Sequence, residues 1–177
     1  RSPITDEQMK NLDEYVARGG NLLIAGEPNR QEYMNPLVER FGVSFMPGCL
    51  VERNENFLPN FIKARPTPEI CELAYVFEGL LEKNRCVTMP GCTGLTYSEG
   101  KGFQVIPMLV SDSVGSWNEL ETTDFIDDTV RLNPAIGEVE KIYNTVVALS
   151  RKVGNKEQKI ILTGDADCIS NGEFGRR

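Results

Sequence analysis

The 177-residue sequence predicts an α/β protein, a three-layer sandwich whose sheet is mostly parallel with an antiparallel edge. Helix-like stretches alternate with short apolar runs. These runs lack polar alternation, which is typical of strands covered on both faces. A hairpin pattern near the end supplies the antiparallel edge. We therefore expect one α/β domain over 1–177, with a loop-rich excursion at 112–140.

The first helix has a well-specified start and end. Thr5 is placed to cap it, and Gln8, three residues later, completes a capping box. Gly19 and Gly20 end the apolar stripe, and the run 21–26 then predicts a buried strand. This part of the chain is predicted as a helix followed by a strand.

The remaining elements follow from the same two patterns. Asn35-Pro36 favours a helix start, and the apolar stripe after Thr67-Pro68 predicts a longer helix. Residues 52–60 are predicted as loop. The predicted strands are 43–48, 86–91 and 103–111. Residues 143–153 and 159–165 predict a hairpin, with a helix as the alternative for its first arm.

Composition excludes several classes of function. The net charge is −7 and Lys and Arg form no cluster, which disfavours binding to nucleic acid or anionic lipid. The chain contains no histidine, so Ser-His-Asp and Cys-His catalysis are excluded. No cofactor is predicted.

The five cysteines form no C-x-x-C pair, which argues against a zinc ribbon or a redox motif. Cys49 and Cys92 both end the tetrapeptide Met-Pro-Gly-Cys. Two interpretations stay open: a disulfide or shared site between them, or coincidence.

Several blocks resemble one family. The stretch "LDEYVARGGNLLIAGEPNR" (12–30) is similar to a helix–strand unit of the gliding-motility-type ABC transporter auxiliary proteins, and "LVERFGV" (37–43) resembles a later block. "SDSVGSWNE" (111–119) and "KIILTGDADCISNGEF" (159–174) resemble further blocks.

The resemblance implies an extracytoplasmic (periplasmic) domain of an inner-membrane protein linked to an ABC exporter. The implied fold is similar to flavodoxin and to class I glutamine amidotransferases. The implied partners are the permease and ATPase subunits, or a cell-surface ligand. We expect the chain to be a soluble part of a larger protein whose membrane segments lie elsewhere.

Asp165 and Asp167, at the end of the last apolar run, have three interpretations. With Asp124, Asp127 or Asp128 they would hold Mg²⁺ or Ca²⁺ at the carboxyl ends of the strands. A haloacid-dehalogenase-like nucleophile is disfavoured because only ten residues come after Asp167. In the third interpretation they shape a turn, with Ser170 or Asn171 capping a helix after it.

Two further residues are candidates for ligand contact. Glu27 follows Gly26 at the end of a predicted strand, where it would contact a ligand or accept hydrogen bonds in a turn. Trp117 stands alone in the polar excursion, where it would form an aromatic wall with Tyr97 or pack in the core under a long loop. The predicted ligand-binding set is Glu27, Trp117, Asp165, Asp167 and Asn171, with no catalytic residue and no metal assigned.

The sequence therefore predicts a non-catalytic extracytoplasmic binding or assembly domain of an ABC transport auxiliary protein. One alternative is a hydrolase that uses Asp165, Asp167 and a divalent cation. Another is a structural spacer domain.

Overall fold

The computed structural model describes residues 3–55, 57–73, 75–98 and 101–170. Within these residues the chain forms four α-helices and ten strands. The helices are α1 (Asp6–Ala17), α2 (Gln31–Val38), α3 (Pro68–Leu73) and α4 (Tyr75–Glu82). The strands are β1 (Leu22–Ala25), β2 (Val43–Phe45), β3 (Cys49–Glu52), β4 (Phe61–Pro66), β5 (Val87–Pro90), β6 (Leu95–Tyr97), β7 (Gln104–Val110), β8 (Ser116–Glu119), β9 (Asn144–Val153) and β10 (Lys156–Thr163).

The predicted sandwich with a mostly parallel, flavodoxin- or amidotransferase-like sheet is wrong. The main sheet runs β1-β10-β9-β7-β4-β5, with β6 joining β9 and β2 joining β6, and β3 pairs with β8 separately. Only β1 and β10 are paired in parallel among the described strands. Apolar runs that would suit parallel strands here pair mostly with antiparallel neighbours, because alternation of helices and strands does not determine strand direction.

Several predictions from local sequence patterns are confirmed. Thr5 caps α1 in a capping box with Gln8. The predicted hairpin is β9 and β10, joined by Gly154 and Asn155. By contrast, Asn35 and Pro36 lie inside α2, and the Asn35 side chain bonds to the backbone of Phe45 instead of starting the helix.

Two core clusters hold the sheet and helices together. In the first, α1 and α2 pack on β1, β9 and β10; its buried members are Val16, Ile24, Leu37, Val38, Phe41, Val43, Phe45, Leu95, Val147, Leu149, Ile160 and Leu162. The second lies around β4 and β5; its buried members are Leu50, Ile62, Ala64, Met89, Cys92, Leu109, Tyr143 and Val146.

A buried glutamine joins α1 to β10. The Gln158 side chain donates to the carbonyl oxygens of Val16 (2.9 Å) and Gly20 (2.6 Å), and it accepts from Arg151 Nε at 2.6 Å. Val16 lies in the last turn of α1 and Gly20 lies just after the helix, so Gln158 adds a side-chain donor to carbonyls on both sides of the helix end. The contact fixes the chain just before β1 against β10.

Gly164 follows β10 at a point where the backbone of another segment comes very close. A Cβ atom there would overlap the carbonyl oxygen of Thr93, whose amide donates to the carbonyl of Gly164 at 2.8 Å. Any side chain at 164 would therefore break this backbone contact.

We expect Gly164→Ala to lower the free energy of unfolding by about 3 kcal/mol, because a methyl group cannot fit against the backbone of Thr93. Gly79→Ala is the matched control: Gly79 lies in α4 with open space at its Cβ position, so the change should raise stability by about 0.5–1 kcal/mol. Urea unfolding followed by circular dichroism measures both. Equal stability of Gly164→Ala and the wild type would contradict this packing.

Candidate functional site

The site lies where the parallel strands β1 and β10 end side by side. Leu22 to Ala25 pair with Ile160 to Thr163, and Gly26 N extends the ladder by donating to Thr163 O at 2.8 Å. Both strands are followed by a glycine and then an acidic residue, Glu27 after β1 and Asp165 after β10. Each acidic residue lies two positions after the last residue of its strand, and these last residues, Ala25 and Thr163, are paired. The parallel pairing therefore brings the two carboxylates together.

The glycines allow this close arrangement. A Cβ at Gly26 would lie 2.5 Å from the ring of Phe45, and Gly164 packs directly on the backbone of Thr93. Because both residues are glycines, no side chain clashes with these neighbours where the chain leaves each strand. The acidic residue that follows each glycine is placed at the same edge of the sheet.

Asp165 is fully buried, with 0% of its surface exposed. Its Oδ1 accepts hydrogen bonds from the amides of Asp167 (2.7 Å) and Cys168 (3.3 Å), which forms the turn after β10. Its Oδ2 is buried and has no hydrogen-bond partner among the described residues. A buried polar atom without a partner costs about 1–3 kcal/mol, so this oxygen is unusual in a folded protein.

Three carboxylates converge at this edge. One oxygen each from Glu27, Asp165 and Asp167 lies within 4.8 Å of the others. Burial, with a smaller contribution from the charges of Glu27 and Asp167, raises the pKa of Asp165 to about 7, although the two amide hydrogen bonds act to lower it. The carboxyl of Asp165 therefore changes protonation near neutral pH.

A cavity of about 280 Å³ opens beside Glu27. Glu27, Pro28, Asn29, Gly48, Cys49, Asn60, Gly91, Glu119, Leu120, Thr122, Thr123 and Phe125 line it. Another part of the wall thus comes from the end of β8 and from the residues of the excursion that follow this strand. Among the residues that line this cavity, Asn60 has a buried Oδ1 without a hydrogen-bond partner in the described part of the chain.

Glu119 is a buried carboxylate that is well satisfied. It accepts from Trp117 Nε1 (3.2 Å) and from the amides of Glu121 (3.1 Å) and Thr122 (3.0 Å). Burial acts to raise the pKa of Glu119, but these hydrogen bonds outweigh it and the pKa is lowered. Glu119 is therefore ionised at neutral pH and adds negative charge to the cavity.

Three cysteines lie near Asp165, and the pKa of each thiol is raised. Burial raises the pKa of Cys49 to about 12, that of Cys168 to about 11 and that of Cys92 well above its usual range. Each thiol lies within hydrogen-bond distance of a backbone carbonyl, and the charge of Asp165 also acts to raise each pKa. Cys49 and Cys92 are free thiols on neighbouring segments, so the disulfide that the sequence leaves open is not formed.

The other predicted residues have different environments. Trp117 is buried in β8 with Arg53 over its ring, outside the lining of the cavity. Asp124 accepts from the amides of Ile126 and Asp127 and shapes a turn, and it does not join the three carboxylates. Asn171 lies outside the described residues.

The sequence alone does not predict Asn60 and Glu119 as site residues. Asn60 falls in the stretch predicted as loop, and Glu119 ends a short strand inside the predicted excursion. The pairing of β3 with β8 brings Glu119 to the cavity, and the pairing of β4 with β5 places Asn60 beside Gly91, whose amide donates to the Asn60 carbonyl. Neither pairing has a local signal in the sequence.

Comparison with known proteins identifies the family. The family described as "ABC-type uncharacterized transport system" matches residues 1–177. The chain belongs to this family. Its family name indicates an auxiliary component of an ABC-type transport system. No curated protein matches the chain.

A solved structure shares the fold. The chain is similar to the mmIFT52 N-terminal domain, with a TM-score of 0.62, 17% identity and 97% of this chain covered. The chain spans 65% of the length of that protein chain. At this identity the likeness concerns the fold alone. Among the described residues, no helix is long and apolar enough to cross a membrane.

The raised pKa of Asp165 predicts a pH dependence of stability. Its pKa is 3.8 in the unfolded chain and about 7 when folded, so the folded state binds more protons between these values. The free energy of unfolding should therefore fall as the pH rises from about 4 to about 7, by at most about 1.4 kcal/mol per pH unit from this group.

Urea unfolding in EDTA at a series of pH values tests this. Asp165→Asn should remove this part of the slope, whereas Asp167→Asn, at an exposed residue, should keep most of it. The same slope in Asp165→Asn and the wild type would contradict the assignment.

Proposed function

We propose that the chain is a non-catalytic, extracytoplasmic binding domain of an ABC transport auxiliary protein of the gliding-motility type. It docks on the membrane-embedded permease subunit through the excursion, residues 112–140. ATP hydrolysis belongs to a separate ATPase subunit, because the chain contains no G-x-x-x-x-G-K-[ST] sequence.

The observation that carries the proposal is the construction of the excursion. Glu138 is buried and accepts from the amides of Leu120 (2.9 Å) and Asn133 (2.6 Å), while Glu119 binds the turn after β8. These buried carboxylates fix the shape of a segment that has little regular secondary structure. A shaped loop on a rigid sheet is a common place for binding.

The excursion also exposes apolar side chains. Ile126 is 77% and Val114 72% exposed, and Val139 is exposed as well. Gly115 donates to Glu140 Oε1 at 3.0 Å, which brings the two ends of the excursion together. Single exposed apolar residues are ordinary, but several on one shaped segment favour a protein partner over solvent.

The chemistry of the site supports binding over catalysis. The chain has no histidine, and the thiols of Cys49, Cys92 and Cys168 have raised pKa values because they are buried. A protonated thiol is a poor nucleophile. The hydrogen-bond donors around Asp165 and Glu119 are engaged in shaping turns.

Co-purification from membranes tests the proposal on the full-length protein. Replacing both Val114 and Ile126 by Asp should lower the amount of permease retained by about tenfold, because the charges would have to be buried in the interface.

The matched control is the double change Leu73→Asp and Leu81→Asp, which places the same two charges at exposed leucines on α3 and α4. It should retain the permease at the wild-type level. Wild-type retention by the folded double variant would contradict docking through the excursion.

A further inference from the structure

We propose that Glu27, Asp165 and Asp167 bind a hard divalent cation, Ca²⁺ or Mg²⁺, through their carboxylate oxygens. This site goes beyond docking on the permease and does not depend on it. It lies at the ends of β1 and β10, whereas the proposed docking surface lies on the excursion.

The unsatisfied oxygen of Asp165 points to a ligand. Asp165 has 0% of its surface exposed, and its Oδ2 has no hydrogen-bond partner among the described residues. Buried polar atoms almost always have partners, and an ion is one explanation for an exception. Oδ1 is already used by two amides, so Oδ2 is the oxygen left for a ligand.

The charge of the cluster favours a cation. Asp165 and Asp167 take part in none of the ion pairs between described residues, which involve Arg40, Arg53 and Lys159. Like charges raise one another's energy at this distance. A divalent cation offsets this repulsion and the cost of burial together, because buried charges are stable when paired or coordinated to metal.

The spacing of the oxygens suits a single ion. The three oxygens lie within 4.8 Å of one another. Ca²⁺ binds oxygens at about 2.4 Å and so bridges ligands up to about 4.8 Å apart, while Mg²⁺, at about 2.1 Å, bridges about 4.2 Å. Three oxygens spaced evenly around one ion lie closer together, about 4.2 Å apart for Ca²⁺ and about 3.6 Å apart for Mg²⁺. Oxygens at the 4.8 Å limit would therefore contract a little for Ca²⁺ and more for Mg²⁺.

The surroundings suit a cation that keeps bound water. Glu27 lies on the wall of the cavity, and Asp167 is exposed. The cavity volume of about 280 Å³ exceeds the roughly 30 Å³ that one water occupies. Water therefore reaches the site and completes the coordination of an ion that prefers six to eight oxygens.

Binding would fasten two segments that are far apart in the sequence. Glu27 belongs to the turn after β1, and the two aspartates belong to the turn after β10. The backbone pairing of these strands ends at Gly26, where its amide donates to Thr163. A cation would extend the connection by one further residue pair.

Isothermal titration of the EDTA-treated and dialysed 177-residue chain with CaCl₂ and MgCl₂ tests the site. We expect one cation per chain, with a Kd on the order of 10⁻⁴ M for Ca²⁺. Asp165→Asn, Asp167→Asn and Glu27→Gln should each weaken binding at least about tenfold, since each removes a charged ligand. In thermal melts at one fixed CaCl₂ concentration, the Tm of the wild type should rise more than that of each of these three variants.

The matched control is the double change Asp124→Asn and Asp127→Asn, which removes two carboxylates from the excursion and should leave the Kd unchanged. If Asp165→Asn fails to fold, Asp167→Asn decides, because that residue is exposed. No binding of either ion by the wild type, or wild-type affinity in both Asp167→Asn and Glu27→Gln, overturns the proposal. Neither result bears on retention of the permease.

Discussion

The structure depends on the parallel pairing of β1 with β10. This pairing joins the first and last of the described strands and sets the two Gly-acid turns side by side. The segment of Thr93, whose amide donates to the carbonyl of Gly164, encloses Asp165 further. The approach of Asp165 to Glu27 follows from the strand pairing, and this second contact contributes to the burial of Asp165. The acidic site is thus a consequence of how the sheet closes.

The remaining strands build a frame around that contact. Within the main sheet, β10 pairs with β9, β9 with β7 and β7 with β4. The separate β3–β8 pair places part of the excursion on another wall of the cavity. Glu27 and Glu119 both line this cavity, and Asp165 lies next to Glu27 but is not among the lining residues. Glu119 accepts hydrogen bonds from two amides and an indole, so its role is structural. Oδ2 of Asp165 has no hydrogen-bond partner among the described residues, so it is available to a ligand. This difference separates a supporting residue from a binding residue.

Local features can be predicted from the sequence, but long-range pairing cannot. The capping box of α1 and the β9–β10 hairpin depend on residues close in sequence, and both predictions are confirmed. The predicted parallel sheet is wrong because strand direction depends on partners far along the chain. The sequence identifies Glu27 and Asp165 as residues at strand ends, but their contact requires the β1–β10 register. Glu119 carries no such signal, because its place follows from the pairing of β3 with β8.

A crystal of the chain grown with MnCl₂ tests the cation site of the three carboxylates most directly, because Mn²⁺ prefers the same oxygen ligands and scatters X-rays anomalously. We expect an anomalous difference peak between Glu27, Asp165 and Asp167, within about 2.3 Å of an oxygen of each. A map without a peak there, with the three side chains well ordered at millimolar Mn²⁺, would contradict the site.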